Sequence, residues 1–219
     1  MTFRVTGTIP GPLRPDPPPR PAPAGPPAEP VAPVRVWLEP GQWSARVFER
    51  LYEQRIVMAQ GYLDDEAATR LCAQLLTLDA EAAEPIRLEL QGLDAELAAA
   101  VTVMGVLDTL RVPVLACAAG LLRGPALGIL AACGQRRAYP NAVLELAEPR
   151  LSLAGPVSSM TAHEQQARLM LDELWERIAQ ATGREPGEVA EDARRNRFFT
   201  AAQAVDYGLV TEVAGAGAG

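Results

Sequence analysis

Apolar residues follow two alternating periods through the middle of the chain. Short runs of aliphatic residues alternate with longer segments in which apolar residues return every three or four positions. The predicted elements are a strand at 55–59 ending at Gly61, a helix at 64–78, a strand at 86–90, a helix at 97–107 and a strand at 113–118. This order predicts parallel strands joined by helical crossovers, and therefore an α/β fold.

The second half of the chain continues the alternation. A turn is expected at 120–124, a buried helix at 126–132, a turn at Pro140 and Asn141, and a strand at 142–146. A long amphipathic helix is expected to begin near Ser158 or Thr161 and to end at Gly183. Its wide apolar stripe suits packing on a neighbouring subunit as well as on its own sheet.

Composition divides the chain into three predicted segments. Residues 1–40 are crowded with proline, alanine and glycine and offer little to bury, so they predict a disordered or polyproline-like tail. Residues 41–213 predict one domain, since 219 residues with 48% hydrophobic content can bury one substantial core. Residues 214–219 predict a flexible end.

The residue types exclude several kinds of chemistry. The chain has no lysine and one histidine, His163, so Ser/Lys dyads, Schiff-base lysines and histidine metal clusters are excluded. No cofactor or metal is expected. A net charge of −7 and a pI near 4.9 argue against nucleic acid or an anionic membrane as a partner.

The cysteines and the apolar runs bear on location. Cys72, Cys117 and Cys133 follow no CxxC spacing and lie in apolar surroundings typical of buried free thiols, which favours a reducing cytosol. The first residues lack the apolar core of a signal peptide, and runs such as 112–122 are too short to cross a bilayer. We therefore expect a cytoplasmic protein.

Two segments resemble the proteolytic subunits of Clp proteases. Residues 53–57 followed by Gly61 are similar to the opening strand of that family, and residues 192–201 with 204–210 are similar to its C-terminal pattern. The resemblance covers about residues 45–213. It implies a ClpP/crotonase-like spiral of repeated β-β-α units, an ATP-dependent serine peptidase, and seven-membered rings.

The residues that such a peptidase needs are substituted at the matching positions. The family uses a serine, a histidine, an aspartate and backbone amides that stabilise an oxyanion. Counting from Pro140 and Asn141 places the serine on Leu122, or on Arg123 if the register slips by one, and the histidine on Ala147. The aspartate falls on Asn196.

The oxyanion loop of the family falls near Asp94 and Ala95, where a carboxylate would repel developing negative charge. No serine lies between Ser44 and Ser152. His163 is interpreted as a solvated helix residue, and Ser158 and Ser159 as helix caps. No catalytic residue is therefore expected.

The crotonase branch of the superfamily is the alternative. Residues 112–114 leading to 124–128 also resemble its acyl-CoA-binding segment, and residues 92–94 resemble its oxyanion loop. Hydratases or isomerases of this type use two glutamates, and here Glu148 stands near one position while Ala132 occupies the other. A crotonase-like acyl-CoA hydratase or isomerase therefore stays open as the second hypothesis.

Arg123 is the unexpected residue of this region. A charge in the middle of an apolar turn predicts an ion pair with Asp94 or Glu148 in place of the triad. The favoured function is then a non-catalytic subunit of a homo- or hetero-oligomeric ring with Clp peptidase subunits, with a Clp ATPase as a further partner. Trp175, Met170 and Phe198 or Phe199 are candidate contact residues.

Overall fold

The structure is a computed structural model that describes residues 40–150 and 157–215, with side chains described at 46–150 and 162–215. The predicted tail at 1–40 lies outside the described residues apart from Pro40, as do residues 216–219 of the predicted C-terminal end. The segment boundaries at 40, 41 and 213 therefore stay predictions. No described helix is both long and apolar enough to cross a membrane.

Helices and strands alternate from the first described residue to the last. The helices are α1 (Pro40–Glu53), α2 (Asp65–Glu81), α3 (Leu97–Thr109), α4 (Ala126–Ala132), α5 (Val157–Thr182), α6 (Pro186–Arg194) and α7 (Ala201–Tyr207). The strands are β1 (Ile56–Leu63), β2 (Ile86–Ala95), β3 (Val114–Ala119), β4 (Leu121–Arg123), β5 (Gln135–Ala138), β6 (Val143–Leu146), β7 (Arg197–Thr200) and β8 (Glu212–Val213). The mixed α/β prediction is confirmed.

The strands form two sheets. The larger has the order β1-β2-β3-β5-β8, and every neighbouring pair in it is parallel. The smaller has the order β4-β6-β7, with β4 parallel and β7 antiparallel to β6. Parallel neighbours require crossover connections, and α2 and α3 supply them between the first three strands.

The helices cover the core by packing side by side. α2 contacts α3, α3 contacts α4, and α4 contacts α5. The last two contacts need a small residue on α4, because a methyl group at Gly128 would lie 2.7 Å from the Met104 sulfur. Leu75, Leu88 and Leu130 are among the fully buried residues between the helices and the large sheet.

Several predicted boundaries are confirmed by local chemistry. Asp64 caps α2, accepting a hydrogen bond from the Ala67 amide at 2.8 Å. α5 begins at Val157, one residue before Ser158, and ends before Gly183, whose φ of 69° is left-handed. The side chains of Ser158 and Ser159 lie outside the described residues, so their predicted capping role stays a prediction.

The prediction of a turn over the whole of 120–124 is wrong for its three middle residues. Leu121–Arg123 is the short strand β4, held by its pairing with β6. Gly120 and Gly124, with φ of 66° and 53°, make the changes of direction on either side. A three-residue strand has no visible period in a sequence, so its pairing partner decides its conformation.

A guanidinium joins three helix ends to the large sheet. Arg136 on β5 donates to the carbonyl oxygens of Cys133 after α4, Ala181 in the last turn of α5, and Gly208 and Leu209 after α7, at 3.0–3.4 Å. The last carbonyls of a helix have no partner within the helix and carry its negative dipole end. Desolvation lowers the pKa of Arg136, and these oxygens compensate for the missing water.

Replacing Arg136 with Met should therefore destabilise the fold strongly. The substitution leaves four carbonyl oxygens without their donor, and we expect a loss of about 3 kcal/mol in the free energy of unfolding. Urea unfolding followed by circular dichroism measures the change. Arg137→Met is the matched control, because Arg137 on the same strand pairs with the exposed Glu212 and should cost little. Equal losses in the two variants would contradict the role of Arg136.

A buried aspartate fixes the loop between α3 and β3. The Asp79 carboxylate accepts hydrogen bonds from the backbone amides of Arg111 and Val112 at 2.8 and 3.0 Å and from the Arg111 side chain at 3.0 Å. Desolvation alone would raise the pKa of Asp79, but these hydrogen bonds outweigh it and the pKa is lowered.

This lowered pKa predicts a contribution to acid sensitivity. Stability from Asp79 should be present above the ordinary aspartate pKa of about 4 and be lost as the pH falls through its lower folded-state value. Asp79→Asn should flatten the acid limb of a plot of unfolding free energy against pH. Asp172→Asn, at an exposed position on α5, should leave that limb unchanged. An unaltered slope in Asp79→Asn would contradict the assignment.

Candidate active site

A polar cavity of about 220 Å³ opens where the carboxyl end of β2 meets the small sheet. Parallel strands bring the residues that follow them to one edge, which is the usual place for a binding site in such folds. The described residues that line the cavity are Tyr62, Asp94, Ala95, Arg123, Gly124, Pro125, Glu145, Ala147, Glu148, Pro149, Arg150 and Asn196.

Four of the five residues predicted at triad or oxyanion positions line this cavity. They are Asp94, Ala95, Ala147 and Asn196, which come from β2, the end of β6 and the loop before β7. Leu122, the predicted serine position, is fully buried and does not line the cavity. Arg123, the position one residue later, does line it.

Alternation along β4 explains this difference. Neighbouring residues of a strand point to opposite faces, so Leu122 packs into the core with its register partner Leu144, while Arg123 points the other way with its partner Glu145. Asn196 lines the cavity from a left-handed backbone conformation with φ of 49°, directly after Arg195, the C-cap of α6. Asparagine tolerates that conformation better than most residues do.

Arg123 forms an ion pair, but with neither of the predicted carboxylates. Its Nε lies 2.5 Å from Oε2 of Glu145, which sits beside it in the parallel register of β4 and β6. Glu145 is 7% exposed, whereas 36% of the Arg123 side chain is exposed. The predicted pairing with Asp94 or Glu148 is therefore wrong, because the register of β4 and β6 places Glu145 directly beside Arg123.

The backbone N–H of Ala95 already has a hydrogen-bond acceptor within the chain. Asp94 Oδ1 accepts a hydrogen bond from the Ala95 N–H at 2.8 Å. The same oxygen lies 3.8 Å from the point that a Cβ of Gly124 would take. A carboxylate oxygen thus occupies the backbone donor at the predicted oxyanion position.

The other reactive side chains are unsuited to nucleophilic attack. Desolvation raises the pKa of the Tyr62 phenol, and the Glu96 and Asp94 carboxylates raise it further, so the one hydroxyl among the described lining residues stays protonated. Burial raises the pKa of the Cys133 thiol to about 12, and it raises those of Cys72 and Cys117 as well. All three are buried free thiols, as predicted, and none lines the cavity.

The other residues that the sequence singled out do not come together in the cavity. His163 lies near the start of α5 and is not among the described residues that line the cavity. Glu148 lines the cavity, whereas Ala132 lies at the end of α4, so the described site has no second glutamate at the position that a hydratase would use. In the described part of the chain, no group of three or more histidine, cysteine or carboxylate side chains is placed to hold a metal ion.

Comparison with known proteins identifies the scaffold. The family model for Clp protease matches residues 39–216. The chain belongs to the Clp protease family. This bears out the resemblance in the opening strand and the C-terminal segment.

Individual Clp relatives match along most of their own length. The ATP-dependent Clp protease proteolytic subunit 2 of Rhodococcus jostii is 30% identical over 78% of this chain and 89% of the relative. Subunit 1 of Corynebacterium jeikeium is 30% identical over 76% and 90%, and subunit 1 of Streptomyces coelicolor is 28% identical over 80% and 80%. These matches give the crotonase alternative no better support.

Three residues that line the cavity, Tyr62, Glu145 and Arg150, were not among the predicted site residues. Tyr62 follows the glycine that was expected to end β1, and Arg150 lies beyond the last strand of the small sheet. Glu145 gave a usable signal, because it is the one charged residue inside the apolar strand Val143–Leu146. A charge in the middle of a buried strand requires a partner, and β4 supplies it.

Arg123→Met tests whether the ion pair supports the fold. The substitution leaves the buried Glu145 without its partner, and we expect a loss of about 1–3 kcal/mol, less than for a fully buried pair because Arg123 is partly exposed. Arg123→Met with Glu145→Leu should recover part of that loss. Arg70→Met, which removes the exposed pair with Glu66, should change the unfolding free energy by about 0.5 kcal/mol or less. Unchanged stability in Arg123→Met would remove support for the pair.

Proposed function

We propose that this chain is a non-catalytic subunit of a Clp-type ring. The observation that carries the proposal is the cavity lining: among the described residues, no serine, threonine, cysteine or histidine faces the space where a peptide bond would be attacked. A serine peptidase needs a hydroxyl and a base in contact. Asparagine at 196 and alanine at 147 provide neither a base nor its orienting carboxylate.

Electrostatics supports the same conclusion. A tetrahedral intermediate places a negative oxygen against backbone N–H groups. Here the Ala95 N–H is held by Asp94, so an incoming oxygen would meet a carboxylate. Loss of a single triad member already costs roughly 10⁴-fold in rate in well-studied hydrolases, and the repulsion at this amide adds to that loss.

Assembly is the function that the scaffold retains. The relatives are named proteolytic subunits of ATP-dependent proteases, and such subunits act in oligomeric rings. Of the candidate contact residues, Trp175 and Phe199 are buried in the core and Met170 packs against it, whereas Phe198 is 56% exposed. Phe198 is therefore, of these candidates, the one most available to a neighbouring subunit.

The proposed setting is a ring of identical subunits or a mixed ring with active Clp peptidase subunits, in the cytoplasm. In a mixed ring, this chain would change chamber composition, gating or the docking of a Clp ATPase without cleaving peptides. The mechanism would be surface complementarity.

Light scattering combined with a fluorogenic-peptide assay tests this function. The pure chain should elute as an oligomer and cleave no peptide above the buffer rate, which places it roughly 10³-fold or more below an active Clp subunit measured in parallel. Mixed with an active subunit from the same cell, it should co-elute and change the cleavage rate per active subunit.

Two outcomes would contradict different parts of the proposal. Cleavage by the pure chain that a serine-reactive fluorophosphonate abolishes would show that the site is catalytic. A monomer that ignores the active subunit would remove the assembly role. Phe198→Ser should weaken co-elution, and the matched control Tyr62→Ser, which removes another exposed aromatic residue, should not.

A further inference from the structure

The amide of Ala95 lies on an edge of β2 that no strand pairs with among the described residues. The pairing of β2 with β3 ends at Gln91 and Ala119. On the other side of β2, the Glu96 amide donates to the Leu63 carbonyl of β1 at 2.9 Å. Because successive N–H groups of a strand point to opposite edges, the Ala95 N–H points toward the cavity.

The acceptor on this amide is an oxygen of the preceding side chain. Asp94 Oδ1 lies 2.8 Å from the Ala95 nitrogen. Gly124 faces this oxygen, and a Cβ there would lie in ordinary contact with it at 3.8 Å, while the Gly124 N–H is already donated to the Glu145 carbonyl at 3.0 Å. The Ala95 N–H is thus the backbone donor for one carboxylate oxygen, and this position on the cavity wall is here called the carboxylate seat.

A second donor group faces the same cavity. Arg123 uses its Nε for Glu145, and in the described part of the chain no acceptor lies within hydrogen-bond distance of its two Nη groups. A guanidinium with open Nη donors is suited to an anion with two oxygens. Buried backbone donors are seldom left unsatisfied, so the seat requires an occupant.

We propose that the cavity is a carboxylate-binding site that is closed by its own Asp94. The ligand class is an external carboxylate, which binds on the Ala95 amide when the Asp94 side chain is absent or turned away. The inference depends on the proposed function in one respect, which is that the cavity binds a ligand and does not catalyse a reaction.

Rescue by acetate tests the carboxylate seat directly. Asp94→Ala empties the seat, and with a dissociation constant on the order of 10 mM, 100 mM acetate should lower its unfolding equilibrium constant about tenfold relative to 100 mM chloride. Wild type should show no such difference, and Asp94→Asn should show little, because its amide oxygen can still accept from Ala95. The measurement is thermal and urea unfolding in matched salts.

Glu148→Ala is the matched control. It removes another carboxylate from the same cavity but leaves the Ala95 amide occupied, so acetate should not stabilise it. Equal acetate effects in Asp94→Ala and Glu148→Ala would mean simple relief of negative charge and would overturn the proposal. No acetate effect in a folded Asp94→Ala variant would overturn it as well.

Two further measurements distinguish the source of the ligand and guard against misfolding. If the seat binds a peptide C-terminus, N-acetyl-alanyl-alanine should stabilise the Asp94→Ala variant more than acetate does, and its C-terminal amide should not stabilise it. If only the carboxylate is recognised, N-acetyl-alanyl-alanine and acetate should stabilise the variant equally. If Asp94→Ala does not fold, hydrogen exchange of wild type decides, because the Ala95 amide should be protected, and fast exchange would overturn the proposal. None of these readouts depends on peptidase activity, so they stand or fall separately from the proposed function.

Discussion

The rest of this structure depends on hydrogen bonds that arginine side chains donate to the carbonyl oxygens at the C-terminal ends of helices. The chain has no lysine, and its helices α4, α5 and α7 end close together against β5. Their last carbonyl oxygens would carry unsatisfied negative dipole ends into the interior, and the planar guanidinium of Arg136 supplies enough donors for all of them. Arg55 does the same at the end of α2, donating to the carbonyls of Leu78, Ala82 and Glu84.

The elements that sequence patterns predicted are those whose own side chains determine them. α2 has both a cap and an apolar face, and β3 is apolar along its length, so each is visible without its neighbours. β5 reads Gln-Arg-Arg-Ala and β4 has three residues, and both are strands because of the strands beside them. Tertiary pairing decided these elements, and local propensity did not indicate them.

In the candidate site, too, some features follow from local sequence and others depend on strand pairing. Counting from Pro140 and Asn141 pointed to Ala147, and this residue does line the cavity. The partner of Arg123 could not be found in this way. It depends on which residue of β6 lies beside β4, and a shift of the register by one residue would turn Glu145 away from Arg123. Whether Leu122 or Arg123 faces the cavity is likewise decided by the alternation along β4 and not by residue type.

A working active site keeps groups in arrangements that stabilise a transition state at the expense of the resting protein. This cavity shows the opposite pattern, since Asp94 accepts from the amide of Ala95 and Glu145 accepts from the Nε of Arg123 within the chain itself. These two donors are no longer open to a substrate, and their pairing favours the folded scaffold over reactivity. Such a scaffold is what the proposed non-catalytic subunit requires. In it, Asp94 and Glu145 hold neighbouring donors at the cavity and so contribute to the stability of the fold.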